Sequence, residues 1–315
     1  MKHGPRALAG MGGCEAFMVV VVGLLSGACS SSATPAGSSG SAYTSTSPPA
    51  SWSTVDLNTG TVTPLRASDA TSGAFYVVSP DGSRVAYNPC CNWETPTVTA
   101  NLDGTQVHAV SAEGMDGVGE QWSPDGSQLV YQQRDGSTND LGNLFVQDIA
   151  TGRRTRVTNL DRKQWGWWFT FPSFSPNGKS ILYQLPEGHR PNGDNRIWDL
   201  WSAPAAGGKP TLVRRNAAWG DYSPDGKWLA YLSSLRESDF TGATLWIRGV
   251  DGGAPQALVR GGALQWVRWS PDGTRIAYSN ASAIYVVNIL SRQITKVAKG
   301  GQPEWQGDHT LIFSS

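Results

Sequence analysis

From residue 52 onward, apolar and polar residues alternate in short runs broken by Gly, Pro, Asn and Asp. A period of two places successive side chains on opposite faces of a strand, so the pattern predicts many short β-strands. The alternation also repeats. Ser79-Pro-Asp-Gly-Ser-Arg-Val-Ala-Tyr87 returns as Trp122-Ser-Pro-Asp-Gly-Ser-Gln-Leu-Val-Tyr131 and Phe174-Ser-Pro-Asn-Gly-Lys-Ser-Ile-Leu-Tyr183. It returns again from Tyr222 to Tyr231 and from Trp269 to Tyr278, which spaces the prolines by 44, 52, 48 and 47 residues. A degenerate sixth copy, Trp305 to Phe313, loses the Pro-Asp-Gly turn and keeps its flanking aromatics.

Each phrase reads as a hairpin. Proline fixes φ at the first corner, Asp or Asn bonds its own backbone, and Gly accepts a positive φ. Turn duty accounts for these recurring aspartates, which are not read as catalytic. A second hairpin type alternates with the first at 52–65, 97–110, 144–157, 198–213, 245–259 and 284–297. Six of each type make six four-stranded units. The chain opens on an unpartnered hairpin of the second type and stops just after one of the first. The expected fold is therefore an all-β, six-bladed β-propeller closed by pairing hairpin 52–65 with hairpin 303–313, which removes the exposed edges of an open array.

The aromatic-Ser-Pro-Asp/Asn-Gly phrase resembles the WD-type repeat of TolB-like propellers, also present in prolyl-oligopeptidase relatives. The resemblance covers residues 52–315. A propeller-only member is expected, without the α/β domain that precedes the propeller in TolB or the hydrolase domain of the oligopeptidases. The repeat builds blades, so it implies a fold and leaves function to the loops.

The N-terminus reads as an address. Lys2 and Arg6 precede the apolar run Phe17–Leu25, too short to span a bilayer and suited to a signal peptide over residues 1–28. Leu25-Ser-Gly-Ala-Cys29 resembles a bacterial lipobox, which implies lipidation of Cys29, although Ser26 departs from the usual aliphatic residue. An ordinary cleaved secretory signal is the alternative. Residues 29–51, rich in Ser and Pro, form the expected flexible tether, about 25 Å in root-mean-square reach. These features predict export, with a lipid anchor on the outer side of the cytoplasmic membrane. Without lipidation, the chain would be secreted or periplasmic.

Composition narrows the partners. Lys and Arg total 25 against 25 Asp and Glu, so the chain lacks the positive field that gathers phosphates and no nucleic acid is expected. The 37 Gly and 19 Pro fall largely to turns, and several of the 14 Trp to strands beside them.

Propeller geometry gathers the links between second and third strands, and those between blades, at one end. These are the long segments, so that face is the expected binding surface. It carries Gln164-Trp-Gly-Trp-Trp-Phe-Thr-Phe171, in which Trp165, Trp167 and Trp168 either pack over the channel mouth or form stacking platforms. Trp93, Trp219 and Trp266 lie in or beside the same loops, with Arg134, Asp135, His189, Arg190 and Arg236 as polar company or solvated rim. Residues 135–140 lack EF-hand spacing, and neither a metal nor a cofactor is expected. No Gly-x-Ser-x-Gly, His-Glu-x-x-His or Walker signature occurs, so catalysis is not expected. Cys90 and Cys91 form either a strained vicinal disulfide or two free thiols. The predicted role is a monomeric domain that binds an envelope or secreted protein, or a cell-wall glycan. The alternative is a lyase or hydrolase acting on polysaccharide or peptide through polar residues of the same face.

Overall fold

A computed structural model describes residues 52–65, 76–88, 96–111, 117–133, 142–160, 170–186, 198–233 and 242–315. Within them the chain folds into strands and turns, with no helix. The described residues open with β1 (Trp52–Asp56) and β2 (Val62–Pro64). The first complete sheet runs β3 (Tyr76–Val78), β4 (Arg84–Tyr87), β5 (Val98–Asn101) and β6 (His108–Ala109). The second runs β7 (Gly117–Trp122), β8 (Gln128–Gln133), β9 (Asn143–Asp148) and β10 (Arg154–Arg156). The third comprises β11 (Ser173–Phe174), β12 (Ser180–Pro186), β13 (Trp198–Pro204) and β14 (Thr211–Arg214). β15 (Ala218–Tyr222), β16 (Trp228–Ser233), β17 (Thr244–Gly249) and β18 (Gly252–Arg260) form the fourth. The fifth holds β19 (Leu264–Trp269), β20 (Arg275–Asn280), β21 (Ala283–Asn288) and β22 (Ile294–Lys299).

The last sheet closes the ring. β23 (Gly301–Gln306) and β24 (Thr310–Ser314) join β1 and β2 in the order β2-β1-β24-β23. β1 pairs with β24 from Trp52 opposite Ser314 to Asp56 opposite Thr310. The first strands of the six sheets touch in a closed circuit, β3-β7-β11-β15-β19-β23 and back to β3. The expected six-bladed propeller and its two-plus-two closure are therefore what the chain forms. Gly300, at φ 133°, begins the turn into this sheet, and a Cβ there would be driven into the Ser314 carbonyl. Only glycine fits that corner.

The repeated phrase does its expected work with one addition. In the second blade Ser123 Oγ donates to Asp125 Oδ1 at 2.6 Å and accepts from the Gln128 N–H at 2.9 Å. The same clasp recurs around Ser79, Ser175, Ser223 and Ser270. Hydrogen bonds from Ser79 and Ser83 hold the Asp81 carboxyl down at about 2. The phrase's closing aromatic, Tyr87, Tyr131, Tyr183, Tyr231, Tyr278 or Phe313, is fully buried in every blade.

Its opening tryptophans staple blades together. Trp122 Nε1–H donates to the Val77 carbonyl at 3.2 Å, Trp269 to Asp221 at 3.1 Å, and Trp305 to Arg268 at 3.0 Å. Each acceptor lies on the first strand of the preceding blade. Phe174 and Tyr222 fill this place in the third and fourth blades, where no indole is available to donate. The innermost strands are thus locked to one another by side chain as well as by packing, and they fix the walls of the central channel.

Candidate functional site at the channel mouth

The first strand of a blade faces the channel, and its first residues follow the link from the blade before. Four such positions hold non-glycine residues at positive φ: Phe171 at 40°, Trp219 at 53°, Trp266 at 55° and Gln302 at 52°. Left-handed backbone is costly for bulky residues and persists where the surroundings over-determine it. Register shifts accompany it in β15, β19 and β23, between Ala218 and Asp221, Gln265 and Arg268, and Gly301 and Glu304. A bulge re-aims the side chain that it carries. Here the bulges of β15 and β19 turn Trp219 and Trp266 toward each other, and both meet Phe171.

The Phe171 and Trp219 rings stack with centroids 4.1 Å apart, Trp219 and Trp266 lie 4.6 Å apart, and Phe171 meets Trp266 edge-on at 5.1 Å. Two glutamines of neighbouring blades hold the cluster in place. Gln184 Oε1 accepts the Trp219 N–H at 2.9 Å, and Gln132 Oε1 accepts the Thr170 N–H at 3.0 Å. The Gln184 N–H in turn donates to the Thr170 carbonyl at 2.9 Å. The cluster therefore rests on blade strands, which makes it a fixed feature of this end of the channel.

Below the rings the channel carries charge. Arg268 Nε donates to Glu304 Oε1 at 2.7 Å and Nη1 donates to the Val267 carbonyl at 3.0 Å. Asp221 Oδ2 accepts the Trp269 N–H at 2.9 Å. Burial alone would weaken the charge of Arg268, and Glu304 and Asp221 more than restore it. Burial raises the Asp221 carboxyl to about 6 against the pull of Arg268. Between the first and second blades Glu120 Oε1 accepts the Thr97 hydroxyl at 2.8 Å, and burial pushes its carboxyl up to about 7. Among the described residues no three His, Cys, Asp or Glu side chains converge to hold a metal ion.

Comparison with known proteins agrees with this architecture. Residues 234–307 match the family described as the dipeptidyl peptidase IV N-terminal region. Dipeptidyl-peptidase 5 of Porphyromonas gingivalis is 36% identical over 139 residues, 39% of this chain and 18% of that protein. The Tol-Pal system protein TolB of Francisella tularensis subsp. holarctica is 26% identical over 213 residues, 64% of this chain and 46% of that protein. A structure assigned as TolB from Agrobacterium tumefaciens superposes with a TM-score of 0.63 at 16% identity, over 84% of this chain and 98% of that one. The chain has the fold of a TolB-like β-propeller. The match spans less than half the length of each of the two curated relatives.

Within the propeller, two of the candidate binding residues read from sequence fall among the described residues. Trp219 and Trp266 come together at the channel mouth, as members of one cluster, but they are only 2% and 8% exposed. They are packed inward, with no open face for stacking. Trp93, Trp165, Trp167, Trp168, Arg134, Asp135, His189, Arg190 and Arg236 lie outside the described residues, as do Cys29, Cys90 and Cys91. Phe171 and the buried charges Glu120, Asp221, Arg268 and Glu304 were not singled out by sequence. One signal was present. Asp221, Arg268 and Glu304 each stand immediately before the aromatic that opens a phrase, and Glu120 one residue earlier still.

Proposed function

We propose that this TolB-like propeller is exported, tethered to the membrane through Cys29, and binds an envelope protein or cell-wall glycan through its long-loop face without catalysing a reaction. The observation that carries the reading is the aromatic cluster Phe171–Trp219–Trp266, held on strained backbone where the inter-blade links meet the channel. Packed inward, the cluster gives the long links above it a rigid base, which is what a docking surface needs. The similarity to a protein named for the Tol-Pal system supports an envelope setting. The leader over 1–28 and the tether over 29–51 supply the route and the reach.

Two measurements test the reading. Intact mass of the membrane-extracted protein should show an N-terminal Cys29 carrying acyl chains, and a plain cleaved terminus would remove the anchor from the account. Replacing Trp165 and Trp168 together with Ala should deplete a specific partner from an in-cell crosslinking pull-down. An unchanged partner list would remove those residues from the docking face. The match to a dipeptidyl-peptidase favours a second reading, an enzyme acting on peptide or polysaccharide through residues of 132–143 and 184–196. Turnover of a peptide and glycan panel by the purified chain would decide for it.

A further inference from the structure

The third and fourth blades meet across a face rich in arginine. Tyr231 of β16 stands opposite Trp246 of β17, and both pack with Leu182 and Leu200 of the third blade. The outermost strand of the third blade reaches over them. Arg214, opposite Leu200 on β14, lays its guanidinium over the Tyr231 ring, 4.7 Å from the centroid. Arg260, at the end of β18, lies over the Trp246 ring at 5.5 Å. Arg248 follows Trp246 by two residues along β17, which puts it on the same face, opposite Leu229. These groups share one crevice. It meets solvent at its outer side, where Arg260 is exposed and Arg214, Trp246 and Arg248 are half-buried.

Its donors outnumber its acceptors. Arg214 Nε, the Tyr231 hydroxyl and Trp246 Nε1 are buried without a hydrogen-bond partner among the described residues. Tyr231 is 0% exposed, so water does not satisfy its hydroxyl from outside. Guanidinium and indole N–H groups only donate, and a phenol can. The second blade shows the usual solution. There Tyr131, opposite Phe145, donates to Gln147 Oε1 at 3.0 Å, and Gln147 stands opposite Leu129. In the fourth blade the matching place, opposite Leu229, holds Arg248, so an acceptor has been exchanged for a cation. Burial raises the Tyr231 hydroxyl, and the charges of Arg214 and Arg248 oppose it. Arg248 Nε donates to the Gly253 carbonyl at 3.2 Å. Among the described residues no carboxylate forms an ion pair with Arg214, Arg248 or Arg260. Buried donors of this kind are costly unless something accepts from them.

Three cations and two neutral donors call for an anion with several oxygens. A carboxylate brings a single charge, whereas a phosphate monoester brings about two and three strong acceptor oxygens. The planar fork of a guanidinium matches that geometry, and its stacking on a ring leaves the N–H edge to bind. We propose that the crevice between the third and fourth blades binds a phosphate group, held by Arg214, Arg248 and Arg260, with the Tyr231 hydroxyl and the Trp246 indole N–H as its neutral donors. Free phosphate and a phosphoester on a larger molecule share this chemistry. The arginines come from the outer strands β14, β17 and β18, apart from the first strands that face the channel, so the site is separate from the aromatic cluster and from docking on the long-loop face.

The test uses the purified full chain with the sodium salts of phosphate, glycerol 3-phosphate and acetate, read against sodium chloride at matched ionic strength. Calorimetry and thermal midpoints should show saturable, stabilising binding of a phosphate probe, with acetate weaker by about tenfold or more. Tighter binding of glycerol 3-phosphate assigns the site to a phosphoester, and tighter binding of inorganic phosphate assigns it to the free ion. Arg248→Gln installs the residue that the second blade carries at this place, which returns an acceptor to Tyr231 and keeps the fold. It should weaken phosphate binding by about tenfold or more. Arg214→Lys keeps the charge but loses the fork, and should weaken binding as well. Should it fold poorly, Arg260→Gln, at an exposed side chain, carries the same test. The proposal is overturned if neither phosphate probe binds saturably, or if acetate binds as tightly as phosphate. Phosphate affinity untouched by both Arg248→Gln and Arg260→Gln overturns it too.

Discussion

Replacing Arg268 with methionine should lower the unfolding free energy by about 3–5 kcal/mol at pH 7 to 8, read as a fall in the urea midpoint. Arg268 sits buried on β19 with its Nε 2.7 Å from Glu304 Oε1 and its charge shared with Asp221. Methionine fills much of the same volume but leaves two carboxyls in the channel wall without a cation. Breaking one side of a buried pair is costly because the remaining charge stays desolvated. The Trp305 staple to the Arg268 carbonyl involves backbone and survives the change. For a domain of this size the loss corresponds to a melting temperature lower by roughly 10 °C. Protonation relieves the stranded acids, so the deficit should shrink at pH 5. The exposed pair Lys227–Asp225, at 3.4 Å, is the comparison, and Lys227→Met should cost under about 1 kcal/mol. Equal effects from the two substitutions would show that the channel pair is not the buried structural tie described above.

The second large effect is a dependence on pH. Burial lifts the Glu120 carboxyl to about 7, with the Thr97 hydroxyl opposing it. In the unfolded chain the same group titrates in the ordinary carboxylate range, about 4.3. Between those values the folded state holds a proton that the unfolded state has released. Stability from this group is therefore full below about 4.3 and is lost as pH rises through 7. The loss between pH 5 and pH 8 should be roughly 2–3 kcal/mol. Glu120→Gln has no proton to lose, so its stability should fall less steeply and exceed that of the parent at pH 8. Asp221, raised to about 6, tilts both proteins in the same direction, and the difference between the curves isolates Glu120. The depressed turn carboxyl Asp81 titrates near 2, outside this window. Denaturant titrations at pH 5, 6, 7 and 8 would check it. Parallel curves for the two proteins would contradict the assignment of Glu120 as a buried acid with a free oxygen.

The blades were legible because their turns constrain backbone as well as side chain. Ser-Pro-Asp-Gly sets a turn with a positive-φ glycine, and Tyr87 and its five counterparts follow at a fixed offset into the core. The closure was legible too, since an orphan hairpin at each end has one partner left. The mouth was harder to read. Trp219 and Trp266 stand at the ends of links, where a sequence pattern places exposed loop residues. Their left-handed backbone turns them inward instead, and alternation cannot foresee a bulge that shifts the register. The channel charges were hidden for a related reason. Asp221, Arg268 and Glu304 occupy polar places in alternating strands, and alternation does not distinguish a polar residue facing water from one facing a channel. Aligning the phrases and comparing the three residues before each opening aromatic would have exposed the column of charge.

The central claim is that partners dock on the long-loop face, and blade five allows it to be tested within one sheet. Ser282 is exposed in the turn between β20 and β21 at that end, and Ser291 is exposed in the turn between β21 and β22 at the other. A photo-crosslinking amino acid is placed at each position in turn, in the full chain, and irradiated in cells. The account predicts a discrete partner adduct from position 282 and none from position 291. An adduct formed from 291 and not from 282 would put the partner on the short-turn face and contradict it.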